Sequence, residues 1–393
     1  ALAGLMLALG YGLKAAAPKA ADSARESLAA VLAPATESGK DKGAQKPLRP
    51  EDADRFSIAV PILADLASDM RRHLDIEILN DEIIRLRRAL YFDLGVPFPG
   101  INLRVTDSLP AGNYVIRLDE TPVTRGWFRE GKILAREKAE HLRVLGIEFE
   151  NDKLFLPGLP TLWVDASRQA DLTRLGVDWF DSAKALSYHI SFVLKTNAST
   201  FIGIQETRHL LGQMEAKFPD LVKEAQRVLP LQRMAEVFQR LVQENVSIRN
   251  LRAVLETFIE WGPKEKDQLL LTEYVREGLR RQITYQYASD NNQLLAYLLQ
   301  PDAEEKIRES IRQTSSGNFL ALDPNSVAKF LKNVKKEVGD ISSFARRPVV
   351  LTSMDIRRYI RKLIEGDLPD LMVLAYQELT PEITVQPLGK IAM

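Results

Sequence analysis

The sequence predicts an α+β protein made of several small subdomains, and three observations support this class. At 393 residues the chain is too long for one hydrophobic core, so about two to four globular units are expected. Segments with the alternating apolar pattern of strands lie on both sides of residues 201–286, which instead show the spacing of amphipathic helices. No tandem repeat of fixed period occurs, so the sequence does not predict a repeat array.

The N-terminal stretch Ala1–Leu13 is apolar and uncharged, and its residues alone leave two interpretations open. It is shorter than the roughly 20 residues that span a bilayer, yet Lys14 and Lys19 follow it as they would at the cytoplasmic end of a membrane helix. It is therefore either the end of a transmembrane helix or a short buried helix. Residues 15–52 contain no aromatic residue and are predicted to be a linker.

The first globular segment has a βαββ pattern. Phe56–Leu66 is predicted to be a strand or a pair of strands, and Leu79–Leu94 an amphipathic helix that Gly95 ends. Ile101–Asp107 and Asn113–Glu120 alternate as two further strands.

Residues 125–165 change in character and are predicted to be an inserted α/β lobe. It has Gly/Pro-rich turns, a short helix at Ile133–Leu145 and strand-like segments after it. The helix predicted at Trp179–Leu194 returns to the first subdomain, which then comprises residues 53–124 and 166–200.

Residues 201–286 are predicted to form a helical third subdomain. Its centre is a helix pair at Met234–Trp261, in which Ser247 is expected to cap the second helix. A third helix is predicted at Leu271–Ile283. Residues 287–393 follow as a fourth subdomain, with helices at Glu304–Thr314 and Pro324–Glu337 and then a βαβ pattern. Its pieces are Pro348–Thr352, the helix Met354–Glu365, and strands at Leu371–Tyr376 and Ile383–Gly389.

Composition and motifs argue against several functional classes. The 53 basic and 53 acidic residues cancel, so no global field attracts nucleic acid or anionic lipid. The chain has no cysteine, and no phosphate-binding glycine loop or GxSxG nucleophile turn occurs. The four histidines have no metal-ligand spacing; they are His73, His141, His189 and His209. We therefore predict no cofactor, no metal and no enzymatic activity.

Two basic features leave an alternative open. The helix pair 234–261 could belong to a DNA-binding regulator that uses Arg249 and Arg252, although acidic residues share both helices. The clusters Arg85–Arg88 and Arg357–Lys362 are interpreted as solvated helix faces or subunit salt bridges.

Aromatic residues in and beside the lobe are the better functional candidates. Partly exposed aromatic residues in clefts anchor protein partners, but the same residues can simply fill two small cores. The candidates are the aromatic residues Phe155, Trp163, Trp179 and Tyr188, together with the neighbouring Leu156 and Leu159.

Four long segments make the chain resemble the export-gate family of type III secretion, in its injectisome branch, over about residues 53–393. They are LRRALYFDLGVPFPGINLRVTDSLPAGNYVIRLDE, FIGIQETRHLL, LVQENVSIRNLRAVLETFIEWGPKEKDQLLLTEYVR and LTSMDIRRYIRKLIEGDLPDLMVLAYQEL. The resemblance implies four cytosolic subdomains and a bacterial inner-membrane protein with this region on its cytoplasmic side. Residues 1–14 would then be the end of the last transmembrane helix.

The family resemblance also implies partners and sites. Members form a nonameric ring, receive chaperone–effector complexes and a gatekeeper protein, contact other export apparatus proteins and contribute to virulence through protein transport. The family's partner-binding cleft lies between the lobe and the first subdomain, which places it here at Phe155, Leu156, Trp163, Tyr188 and His189. Tyr188 replaces the threonine of the flagellar branch. Charged residues Arg249, Arg252 and Glu256 are expected at the ring interface, because complementary charge fixes register between subunits.

Overall fold

The structure is a computed structural model that describes residues 58–72, 74–314, 317–339, 341, 344 and 346–393. The predictions of a membrane-helix end at 1–14 and a linker at 15–52 lie outside these residues. Among the residues described, no helix is both long enough and apolar enough to cross a bilayer. The chain divides into two compact units, one ending at Phe201 and the other running from Ile202 to Met393. Both units mix helices and strands, which confirms the α+β class.

The first sheet of the N-terminal unit has the predicted βαββ order and gains one strand. Its elements are β1 (Ile62–Ala67), α1 (Ile76–Leu94), β2 (Asn102–Thr106), β3 (Asn113–Leu118) and β4 (Thr121–Trp127). The strand order is β2-β1-β3-β4, with β1 parallel to β2 and antiparallel to β3. Strand β4 passes through residues 124 and 125, where the sequence predicts the border of the lobe.

Helix α1 begins three residues earlier than predicted, because Asp75 caps it. Its carboxylate Oδ1 accepts hydrogen bonds from the backbone N–H groups of Glu77 and Ile78 at 2.9 and 3.1 Å. The helix ends at Gly95, whose φ of 79° is the left-handed conformation that a glycine adopts at little cost.

The lobe has its own four-stranded sheet, with strand order β6-β7-β5-β8. Its elements are β5 (Lys132–Ala135), α2 (Ala139–Val144), β6 (Glu150–Asn151), β7 (Leu162–Asp165), α3 (Gln169–Arg174) and β8 (Trp179–Phe180). The helix predicted at Ile133–Leu145 is therefore wrong over its first six residues, because α2 begins only at Ala139. Ile133 pairs with Val164 in the sheet, and a short apolar run such as this one fits a strand as well as a helix.

Trp179 is the second correction in the lobe, because it lies in β8 and not in a helix. Helix α4 (Ser182–Thr196) begins after Asp181, whose carboxylate accepts a hydrogen bond from the Lys184 backbone N–H at 2.7 Å. This cap fixes where the chain turns from the lobe sheet into α4.

The second unit opens with six helices: α5 (Ile204–Glu215), α6 (Pro219–Val228), α7 (Leu231–Gln243), α8 (Leu251–Trp261), α9 (Gln268–Gly278) and α10 (Arg280–Tyr287). Asn250, and not Ser247, caps α8, through a 3.4 Å bond from the Ala253 N–H. The predicted helix Leu271–Ile283 is two helices that meet at Leu279. Gly278 lies at this break, where its low helix propensity favours an end.

The rest of the second unit is a parallel sheet covered by helices. Its elements are β9 (Gln293–Leu299), α11 (Pro301–Glu309), β10 (Ile311–Thr314), β11 (Gly317–Leu320), α12 (Pro324–Val338), β12 (Val349–Thr352), α13 (Met354–Ile364), β13 (Met372–Ala375) and β14 (Thr384–Ile391). The order is β13-β12-β9-β14, with every pair parallel.

The βαβ pattern β12-α13-β13 is confirmed, whereas the helix predicted at Glu304–Thr314 is too long. It stops at Glu309, and Ile311–Thr314 instead pairs with β11 as a hairpin.

Candidate partner-binding site

The five residues predicted for the partner-binding cleft lie together in the first unit. Phe155 and Leu156 come from the loop after β6, Trp163 from β7, and Tyr188 and His189 from α4. The Phe155 ring lies 6.2 Å from both the Trp163 ring and the His189 ring, centroid to centroid. The lobe and the first sheet therefore meet through one aromatic cluster.

Burial divides this cluster into a supporting part and an accessible part. Trp163, Tyr188, Leu156 and His189 are all buried, with exposed fractions of at most 5 %. Phe155 is half-buried, and its neighbour Leu154 is 75 % exposed. The accessible apolar surface is thus the loop at residues 154–155, and the other predicted residues form the buried core on which this loop packs.

Trp127 belongs to the accessible part, although the sequence analysis did not select it. Its half-buried ring lies 4.6 Å from the Phe155 ring. The position of Trp127 beside the Gly/Pro-rich turns of the lobe could have indicated its role. As the last residue of β4, however, it has the sequence context of an ordinary strand residue.

A single carboxylate fixes the two indoles of the cluster. Asp152 Oδ2 accepts hydrogen bonds from Trp127 Nε1 at 3.2 Å and from Trp163 Nε1 at 3.3 Å, and Arg129 Nη2 lies 2.6 Å from the same oxygen. The backbone N–H of Lys153 is the largest cause of the lowered pKa of Asp152, and the indoles and Arg129 add to it. This carboxylate therefore stays charged while it orients both rings.

The loop itself is tied to helix α4. Tyr188 Oη donates a hydrogen bond to the Pro157 carbonyl oxygen at 2.8 Å. A threonine side chain at this position would be too short to make this bond. Tyr188 thus positions the segment that carries Leu154 and Phe155.

His189 is a buried, neutral histidine at the base of the cluster. Its Nδ1 lies 2.8 Å from Tyr114 Oη and its Nε2 lies 3.1 Å from Thr124 Oγ1. Burial lowers the pKa of His189 to about 4. Both hydroxyls can donate or accept, so they satisfy one N–H and one bare ring nitrogen.

Gly126 makes room for this arrangement. A Cβ at position 126 would lie 2.3 Å from the Tyr114 ring, a distance that no side chain tolerates. The absence of a side chain lets the Tyr114 ring pass over β4 and reach His189.

The predicted ring-interface residues lie on or just before α8. Arg252 Nε and Glu256 Oε1 form a 2.8 Å ion pair one helical turn apart, and both side chains are more than half exposed. The Arg252 guanidinium also lies 5.5 Å from the Phe218 ring. The geometry presents a charged, accessible helix start, and no observation on these residues favours duplex DNA.

Lys362 of the basic cluster Arg357–Lys362 is exposed, but the interpretation as a solvated helix face is wrong for Arg357 and Arg361. Arg357 is 1 % exposed and Arg361 is 8 % exposed. Arg357 donates to both oxygens of Glu273, from Nε at 2.5 Å and from Nη2 at 2.6 Å. Its Nη1 also lies 2.5 Å from Glu244 Oε2.

Arg276 extends this buried ion network. It donates to Glu378 Oε1 from Nε at 2.5 Å and to Glu244 Oε2 from Nη1 at 3.2 Å. Burial alone would raise the pKa of Glu244, but Arg357 and Arg276 lower it to about 2. The network joins α7 and α9 to α13 and to the turn after β13, so it fixes the helices against the parallel sheet.

The described residues contain no group of three or more histidine, aspartate or glutamate side chains arranged to hold a metal ion. His141 pairs with Glu137 and His209 contacts Gln213, while His73 lies outside the described part of the chain.

Comparison with known proteins gives consistent matches. The model of the FHIPEP family matches residues 1–384. Low calcium response locus protein D of Yersinia pestis is 47% identical over 378 residues, which are 95% of this chain and 54% of the relative. The chain thus spans about half the length of this relative.

Solved structures match as well. CdsV of Chlamydia pneumoniae, in a complex with CdsO, is 39% identical with a TM-score of 0.81, and the match covers 86% of this chain and 99% of CdsV. The nonameric EscV cytosolic domain from the type III secretion system is 33% identical with a TM-score of 0.66, over 85% and 97% of the two chains.

Proposed function

Because the chain belongs to the FHIPEP family, the export-gate proteins of type III secretion, we propose that it forms a cytoplasmic ring that receives proteins for export. In this proposal the ring lies on the cytoplasmic side of the bacterial inner membrane. The ring receives chaperone–effector complexes and the gatekeeper protein, and it passes the substrates to the export channel. No covalent chemistry by this chain is needed.

The observation that carries the receptor role is the aromatic cluster between the lobe and the first sheet. Leu154 and Phe155 are accessible, while Trp163, Tyr188 and His189 hold them in place. An accessible apolar group on a rigid base is the arrangement that anchors protein partners, because little conformational entropy is lost on binding.

Leu154→Glu and Phe155→Ala are expected to weaken binding of a chaperone–effector complex about tenfold or more, because each removes an accessible apolar contact. Isothermal titration calorimetry with a purified complex from the same secretion system measures this. Trp163→Ala and Tyr188→Ala are less informative, since each leaves a cavity in a core and destabilises the fold.

The matched control is Val144→Glu, which makes the same kind of change at an 84 % exposed residue of the lobe helix α2. It is expected to bind as the wild type does. Unchanged affinity in both Leu154→Glu and Phe155→Ala would show that the receptor surface lies elsewhere.

Two observations support the proposed ring: a similar protein forms one, and the start of α8 carries exposed charged side chains. The EscV domain is nonameric. In our proposal Arg249, Arg252 and Glu256 face the neighbouring subunit, where charge pairing sets the register. A contact of this kind repeats head to tail and closes into a ring.

Glu256→Arg is expected to lower the assembled fraction, because it places like charges together on the proposed interface. Light scattering across a concentration series and negative-stain images measure the assembly. Glu224→Arg is the matched control, since Glu224 forms a similar exposed pair with Arg227 on α6. Equal ring populations in Glu256→Arg and wild type would show that these residues do not lie in the subunit interface.

A further inference from the structure

The second unit contains a groove that the proposed function does not use. It encloses about 500 Å³ between the end of α7, helices α9 and α13, and the β10–β11 hairpin. Apolar side chains form much of its wall, among them Leu269, Phe319, Leu320 and Leu363. Phe319 is 49 % exposed, so its ring is accessible to a partner.

The groove also carries an excess of positive charge. Its acidic side chains are Glu244, Glu273 and Glu365, and its basic ones are Arg240, Arg357, Arg358, Arg361 and Lys362. All three acidic side chains already have partners inside the protein, because Glu244 and Glu273 bind Arg357 and Glu365 binds Lys362. Arg358 lies 3.7 Å from Asp267.

Two cations of the groove remain without a carboxylate. Within the described part of the chain, neither Arg240 nor Arg361 forms an ion pair. Arg240 is exposed. Arg361 is 8 % exposed; it donates to the carbonyl oxygens of Leu371 at 2.9 Å and Pro369 at 3.2 Å, and its Nε has no acceptor among the described atoms. Arg240 therefore offers an accessible charge to an anion, and the buried Arg361 adds positive charge behind it.

We propose that this groove binds an acidic amphipathic segment of a protein partner. The apolar side chains of the segment pack on Phe319, Leu320 and Leu363, and its carboxylates lie toward Arg240 and Arg361. Burial of Phe319 supplies apolar contact area, and the unpaired cations select acidic residues. This docking surface is separate from the aromatic cluster of the lobe and goes beyond the proposed function.

The groove fits a protein segment better than a polyanion. Its apolar wall offers little to a sugar–phosphate backbone, whereas it suits the apolar face of an amphipathic segment. The β10–β11 hairpin supports the same conclusion, because a two-stranded sheet gains stability when a partner packs against it.

A fluorescence anisotropy titration tests the proposal. The probe is a labelled 12-residue peptide of leucine and glutamate at amphipathic-helix spacing, and the whole chain is titrated into it. The second probe has lysine at every glutamate position. We expect the acidic peptide to bind at least about tenfold more tightly than the basic one, because only the acidic one complements the groove.

Variants locate the binding. Arg240→Glu and Phe319→Ala alter exposed side chains, so the fold is retained. Each is expected to lower the affinity for the acidic peptide about tenfold. Lys329→Glu and Tyr285→Ala are the matched controls, because they make the same kinds of change at exposed residues outside the groove. Equal affinity for the two peptides, no binding of the acidic one, or wild-type affinity in both groove variants would overturn the proposal.

Discussion

Arg357→Ala is expected to lower the free energy of unfolding of the second unit by about 3–5 kcal/mol, because it leaves the buried Glu273 without its partner and Glu244 with Arg276 alone. The loss exceeds that of an ordinary surface pair because the Glu273 side chain is 3 % exposed, so little water reaches its carboxylate when the arginine is removed. Hydrogen exchange followed by mass spectrometry measures it, since peptides from residues 202–393 report this unit separately from the first.

Two further variants make the prediction specific to the buried network. Lys362→Ala removes a cation from the same helix, but its side chain is 80% exposed, and a cost of about 0.5 kcal/mol or less is expected. Arg357→Lys keeps the charge and loses the forked pairing with Glu273, so an intermediate cost is expected. If the amides of residues 202–393 exchange as slowly in Arg357→Ala as in Lys362→Ala, the buried ion network does not hold the helices to the sheet.

The first unit is expected to lose about 3 kcal/mol of stability through His189 as the pH falls from about 6.5 to about 4. The pKa of His189 is lowered to about 4 by burial, from an ordinary value of 6.5. The unfolded chain therefore binds a proton in this range that the folded chain does not. The stability contribution is present above pH 6.5 and is lost as the pH falls through the folded-state pKa.

Urea unfolding at a series of pH values, followed by exchange in peptides from residues 58–201, measures this effect. His189→Gln is expected to be less stable at pH 7, because its amide does not reproduce both ring contacts, but its stability should change less between pH 6.5 and 4. His141→Gln, at an exposed histidine, is the control and is expected to keep the wild-type pH dependence. An unaltered slope in His189→Gln would show that another group causes the acid sensitivity.

Much of the architecture could be predicted from local patterns. Helices α1, α7, α8 and α13 have apolar side chains at helical spacing over at least three turns, and strands β2 and β3 alternate along their length. Two of the errors fall on short segments. Ile133–Ala135 and Ile311–Thr314 are each four residues or fewer of mixed character, and their strand partners, β7 and β11, decide their conformation.

The candidate site was predictable only in part. Aromatic residues beside glycine and proline indicated where the cluster lies, because such turns limit how side chains can be buried. They did not indicate which rings stay accessible. That depends on Asp152, which joins Trp127 to Trp163, and on the Tyr188 bond to Pro157, and both contacts link residues far apart in the chain.

The sequence by itself determined the α+β class, the long helices and the family, because these depend on patterns within continuous segments. Only the tertiary structure decided which charged residues are buried and which are exposed. Arg357 and Lys362 lie five positions apart on one helix and look alike in sequence, yet Arg357 is buried among carboxylates and Lys362 is exposed. The physical reason is that the cost of burying a charge is set by partners that the fold brings from Glu244, Glu273 and Glu378.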